Sequence, residues 1–90
     1  MQEKKSLAPD ELEFPLNCQY RIIAENLKGM HFVIETVLLE LGVKSPLVEQ
    51  NHSKGGKYLS FSVDVRVESL EQMNQIDQAL RNIAGVKMVL

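Results

Sequence analysis

Hydrophobic and polar residues alternate most regularly between Tyr58 and Glu68. Leu59, Phe61, Val63, Val65 and Val67 fall on one side, and Ser60, Ser62, Asp64, Arg66 and Glu68 on the other. A period of two predicts a β-strand with one face in a core and one face wet or shared. Asn17 to Asn26 alternates as well. Cys18, Tyr20, Ile22 and Ala24 share one face, Gln19, Arg21 and Glu25 the other, and Ile23 is an apolar residue on the polar side. This predicts a first strand, with Tyr20 facing the core and Cys18 a buried, inert thiol.

Between and after these strands the period lengthens. At 100° per residue, Met30, Ile34, Val37 and Leu41 cluster with Val33 and Leu38 beside them, which predicts a helix from Gly29 to Gly42. Ser69 followed by Gln72 is a capping box, and Leu70, Met73, Ile76, Leu80 and Ile83 make the apolar stripe of a second helix that Gly85 ends. Val43 to Asn51 predicts a weaker strand, which Pro46 confines to a sheet edge. His52 to Lys57 is a turn, and Val86 to Leu90 a short closing strand. Residues 1–11 read as a mobile polar tail, leaving 12–90 as one domain.

The order β-α-β-β-α-β with two one-sided helices and a one-sided sheet packs as two layers. Right-handed crossovers that each skip one position give an antiparallel sheet in the order 4-1-3-2, the ferredoxin-like α+β arrangement. Strand 2 then lies on an edge, as Pro46 requires.

Composition narrows the function classes. The chain has 90 residues, 44% hydrophobic and 24% charged, with net charge −2, which suits one small domain and argues against coating nucleic-acid phosphates. No apolar run reaches the roughly 18 residues of a membrane span. Pro9-Asp10-Glu11 stands where a signal peptide is apolar, so a cytoplasmic location is expected. Cys18 is the single cysteine, and with His31 and His52 it shows no metal-ligand spacing. No cofactor is expected. Tyr58 and Phe61 have opposite parity and cannot both present bases with a stacking surface, which counts against RNA binding. Acylphosphatases share this fold, but their phosphoryl chemistry needs a first-loop arginine, and Asn26 to Met30 offers Lys28 instead. A non-enzyme is expected.

Several short motifs in order carry a family likeness: Leu12-Glu13-Phe14-Pro15, Tyr20 in the first strand, Ser53-Lys54-Gly55 with Tyr58 at the hairpin, and the terminal Val86-Lys87-Met88-Val89-Leu90. Over residues 12–90 the chain resembles the YbeD-like family, small bacterial proteins of unknown function. The resemblance implies a bacterial protein with a fold like that of ACT-type regulatory domains, and it brings no catalytic residues. ACT-type domains bind small effectors near the first loop, commonly across a dimer. Here Asn26-Leu27-Lys28-Gly29 replaces their Asp-x-Pro-Gly-like loop but keeps the glycine.

Topology then selects the candidate sites. The 4-1-3-2 order brings Asn26 to Gly29, His52 to Lys57 and Ala84-Gly85 to one end of the sheet, beside the positive N-terminus of the first helix. Asn26, Lys28, Gly29, His31, His52, Lys54 and Lys57 form a candidate ligand-binding end for a small anionic metabolite. The alternative is a solvated lysine-rich turn. Glu13, Glu40, Glu68 and Glu71 gather at the opposite end. Phe32 and Leu39 lie opposite the helix stripe, as a surface for a partner protein or second subunit, or for cover by Leu7, Leu12 or Phe14. The open sheet face presents Arg21, Ile23, Ser60, Ser62, Asp64 and Val89, a plausible homodimer surface on which Arg21 and Asp64 are placed to pair. The leading expectation is an ACT-like regulatory module; the alternative is a protein–protein adaptor without a small ligand.

Overall fold

A computed structural model describes residues 12–50 and 54–90. Six regular elements follow in order: β1 (Leu16–Glu25), α1 (Met30–Glu40), β2 (Val48–Glu49), β3 (Tyr58–Val67), α2 (Leu70–Arg81) and β4 (Val86–Val89). A 3-10 turn, Lys54–Gly56, leads into β3. The sheet runs β2-β3-β1-β4, which is the expected ferredoxin-like order. The expected mobile tail, residues 1–11, lies outside the described residues, as do Asn51, His52 and Ser53.

The centre of the sheet follows directly from alternation. β1 and β3 pair antiparallel without a break, from Leu16 opposite Val67 to Glu25 opposite Tyr58. Ile22, Ala24, Phe61, Val63 and Val67 thereby point under the helices and are almost wholly buried. Burial of each of the larger four, Ile22, Phe61, Val63 and Val67, contributes roughly 1.5–3 kcal/mol, and these residues anchor the domain. On α2, Ile76 and Leu80 complete the same core. The capping box forms in a shifted version: Ser69 Oγ accepts from Gln72 N at 3.1 Å, while Gln72 Oε1 accepts from Glu68 N at 2.7 Å.

Four local expectations need correction. First, β2 is only Val48–Glu49, not Val43 to Asn51, and Pro46 precedes it. Val43 and Leu47 are buried without being strand, because an edge segment carrying proline packs its side chains more easily than it pairs its backbone. Second, Val33 is 42% exposed, whereas Met30, Ile34 and Leu38 are buried. Val37 and Leu41 pack against the core as expected, so the inward stripe is the one the sequence marks, and only Val33 at its margin turns toward solvent.

Third, Val89 is 3% exposed and lies in the core, not on the open face. Ile22 pairs with Val89, Ile23 with Met88, but Ala24 with Val86, so Lys87 is an extra residue and the register shifts. A bulge of this kind reverses the parity of everything beyond it. Met88 takes the place on the open face, beside Ile23. Fourth, Cys18 keeps its core-facing parity but is only half-buried, and its thiol reaches Met73 Sδ at 3.6 Å.

Candidate functional site

The loops predicted to meet do so through named bonds. Asn26 N donates to Lys57 O at 3.0 Å, and Asn26 Nδ2 donates to Gly56 O at 2.7 Å, tying the β1–α1 loop to the turn before β3. Glu25 N donates to Gly85 O at 2.8 Å, which brings in the α2–β4 turn. Gly85 lies against this loop closely: a Cβ built on it would stand 2.6 Å from Met30 Cε and 3.0 Å from Leu27 Cδ1. Asn26, a candidate ligand-binding residue, therefore also clamps two of the three connections together, and Glu25 ties in the third.

α1 opens on Gly29 with φ 80°, with no side-chain cap and no acidic residue in its first turn. Met30 N donates to Leu27 O and Val33 N to Gly29 O, while the amides of His31 and Phe32 meet no protein acceptor among the described residues. Lys28 and Lys57 are exposed beside this end. His31 turns away from them. Its ring stands edge-on to Phe61 at 5.6 Å, with Glu49 and Glu35 at 3.6 and 3.8 Å. His52 lies outside the described residues, and of Lys54 only the backbone turn is described.

One cation at this end was not legible in the sequence. Lys87 Nζ binds Glu25 at 2.9 Å, and that hydrogen bond raises the lysine pKa above its ordinary value. Lys87 comes beside Glu25 through the β4 bulge, which no local period announces. At the opposite end the acidic character is diluted: Lys44 and Arg66 line a shallow groove with Gln72.

Two apolar surfaces remain. Phe32 and Leu39 on α1 are 70% and 60% exposed, and Phe14 packs against the core. Leu7 lies outside the described residues. On the open sheet face, Ile23 and Met88 sit side by side, and Val48 stands opposite Ser62. Ser62 is buried there and Gln50 Nε2 donates to its hydroxyl at 3.1 Å. Arg21 and Asp64 are exposed and make no ion pair with each other among the described residues; their neighbours across the ladder are Ser62 and Gln19.

A groove of about 260 Å³ runs between α2 and the outer edge of β1, lined by Cys18, Tyr20, Met73, Asp77, Arg81 and Leu90 among others. Tyr20 Oη donates to Met73 O at 3.1 Å, and burial pushes its pKa up to about 12, so the phenol stays a donor throughout the physiological range. Arg81 bridges Asp77 and Val89 O, both at 2.8 Å, and fixes β4 to α2. Burial raises the Cys18 thiol pKa as well. No group of three or more metal-ligating side chains converges among the described residues. No helix there is long and apolar enough to cross a membrane.

Comparison with known proteins agrees with this architecture. The chain resembles protein HP0495 from Helicobacter pylori with a TM-score of 0.75 at 22% identity, covering 97% of this chain and 98% of that one. It also resembles the ACT domain from GTP pyrophosphokinase of Chlorobium tepidum, with a TM-score of 0.69 at 21% identity over 83% of each chain. At these identities the likeness is one of fold, and the fold is ACT-like. Among sequence relatives, the UPF0250 protein Smlt4048 of Stenotrophomonas maltophilia is 31% identical, with 98% of this chain and 99% of the relative covered. A UPF0250 protein of Xanthomonas oryzae is 32% identical over 91% and 92% of the two chains. These are bacterial proteins of the YbeD-like group that the sequence motifs resemble. A family model described as a protein of unknown function, DUF493, matches residues 9–90, and the chain belongs to that family.

Proposed function

We propose that the protein is a non-enzymatic regulatory module, working in the cytoplasm, that binds a small anionic metabolite at the N-terminus of α1. The observation that carries this reading is a pair of amides there, His31 N–H and Phe32 N–H, unengaged among the described residues, on a helix with neither cap nor first-turn acid. The contrast within the molecule is direct: α2 has both the Ser69 cap and Glu71 in its first turn. A helix start left open in this way concentrates partial positive charge that a carboxylate or phosphate satisfies. Lys28 and Lys57 add charge beside it, and the bonds from Asn26 to Gly56 and Lys57 hold the loop in place. The likeness to an ACT domain that occurs within GTP pyrophosphokinase supports a module of regulatory type.

Thermal unfolding measured against amino acids, other carboxylates and phosphometabolites tests this reading. A ligand at ten times its Kd stabilises by about 1.4 kcal/mol, which raises the Tm of so small a domain on the order of 6 °C or more. The double variant Lys28→Glu with Lys57→Glu is expected to lose most of that rise while its own transition stays cooperative. No rise with any of these anions overturns the proposal.

A second reading, a protein–protein adaptor, is favoured by Phe32 and Leu39. The two lie opposite the core stripe of α1 as large apolar side chains, and each is more than half exposed. Replacing both with serine removes no core contact, so the fold is expected to persist. Under the adaptor reading, capture of a partner by the purified protein falls about tenfold or more. Unchanged capture counts against it.

A further inference from the structure

β1 is ten residues long, but β4 covers only its second half. Arg21 N donates to Leu90 O at 3.1 Å, Leu90 N to Arg21 O at 2.8 Å, and Glu25 N to Gly85 O. Odd-numbered residues of β1 therefore direct their N–H and C=O toward the β4 side, and even-numbered ones toward β3, because strand backbone groups alternate. Asn17 and Gln19 are odd-numbered, and β4 does not reach them. Their outward N–H and C=O groups meet no backbone partner among the described residues.

Free sheet edges are usually blunted by brevity, proline, charge or a bulge. The other edge has these devices: β2 is two residues long, follows Pro46 and includes Glu49. β4 carries its bulge and Lys87. Leu16 to Tyr20 has no charge, no proline and an unbroken register with β3. Among the described residues it is the unguarded edge.

We propose that this edge is a homodimer interface, in which Leu16–Tyr20 pairs antiparallel with the same segment of a second copy about a two-fold axis at Cys18. The register follows from which groups are free. Centring on Cys18 sets Asn17 opposite the second copy's Gln19, so the outward donors and acceptors of both residues are used on both chains. Centring on Gln19 would set Arg21 against the second copy's Asn17, and the Arg21 backbone is already held by Leu90. Centring on Asn17 would oppose Gln19 to the second copy's Pro15, which has no N–H to give.

The same register makes the side chains self-complementary. On the open face the amides of Asn17 and Gln19 face each other across the ladder, a pairing suited to hydrogen bonding. On the helix face Leu16 lies opposite the second copy's Tyr20, and each Cys18 opposite the other. The apolar side of the groove lined by Cys18, Tyr20 and Met73 is thereby covered. No charge in the segment repels its copy across the axis. An interface of this extent belongs at the small end of specific association, so a reversible dimer is expected.

Sedimentation equilibrium of the full chain over a range of concentrations tests the proposal, together with a short bis-maleimide that joins two Cys18 thiols. The expected result is a concentration-dependent species of twice the 10.2 kDa chain mass that becomes covalently linked through Cys18. Asn17→Lys with Gln19→Lys, both exposed positions, is expected to weaken dimerisation about tenfold or more and to abolish crosslinking. That variant should keep the wild-type melting transition and still react with a monofunctional maleimide. Gln19→Pro, which removes an outward N–H and takes no bond from the β1–β3 ladder, should weaken dimerisation likewise. A chain that stays monomeric, including one whose own residues 1–11 occupy the edge, overturns the proposal. So does a dimer that is indifferent to the lysines or does not crosslink through Cys18.

Discussion

Truncating Phe61 to alanine is expected to remove about 3–5 kcal/mol of folding stability. Phe61 is wholly buried at the centre of β3, with Ile22 opposite it on β1 and Glu49 on β2. Its ring also supports His31 in the first turn of α1. Removing it takes apolar surface out of the core and leaves a cavity beneath α1 that a rigid sheet cannot close. The total stability of so small a domain is about 5–14 kcal/mol, so the loss is a large fraction of the whole. With a urea m-value of about 1 kcal/mol/M, the midpoint falls by roughly 3 M or more. Phe61→Leu keeps most of the volume and is expected to cost less than half as much. A loss below about 1 kcal/mol for the alanine variant would contradict the packing described here.

Gly85→Ala should be the most costly single methyl at the candidate site, roughly 2–3 kcal/mol, from two separable causes. Gly85 has φ 94°, a left-handed backbone that strains any residue with a Cβ. The new Cβ also meets Met30 Cε at 2.6 Å and Leu27 Cδ1 at 3.0 Å. Met30 is a flexible side chain but is buried, so its retreat disturbs the start of α1. Gly42 supplies the comparison: its φ is 83°, yet a Cβ there meets nothing within 4 Å. Gly42→Ala should therefore cost only the backbone strain, about 1 kcal/mol. Thermal melts measure the difference, and backbone amide chemical shifts locate it. For Gly85→Ala the largest changes are expected over Leu27 to His31; equal costs for the two variants would remove the packing term.

Much of the fold was legible because its strongest signals are local. The β3 alternation and the α2 stripe each report an environment repeated within a few residues, and both occur in the structure, as does the Ser69 cap, with Gln72 reaching Glu68 N in place of Ser69 N. Chain order and crossover handedness then left one economical sheet order, which is the order observed. The meeting of the three connections at one end follows from that order. What each side chain does there does not follow. Asn26 becomes a clamp because Gly56 and Lys57 happen to face it. Lys87 is neutralised by Glu25, and His31 is drawn toward Glu35 and Glu49.

The sequence by itself determined the element types, the two-layer architecture and the identity of most core residues. Those properties depend on the burial of one face of one segment, and a repeating pattern along the chain records it. Tertiary structure decided the shrinkage of β2, the faces of Val89 and Met88 and the uncovered half of β1. Each depends on pairing between segments far apart in sequence. The extra residue at Lys87 reverses the alternation of β4, and its lack of reach beyond Arg21 leaves Asn17 and Gln19 with open hydrogen-bonding groups. Periodicity records what a segment can bury; where a partner strand begins, slips and stops is set by the partner.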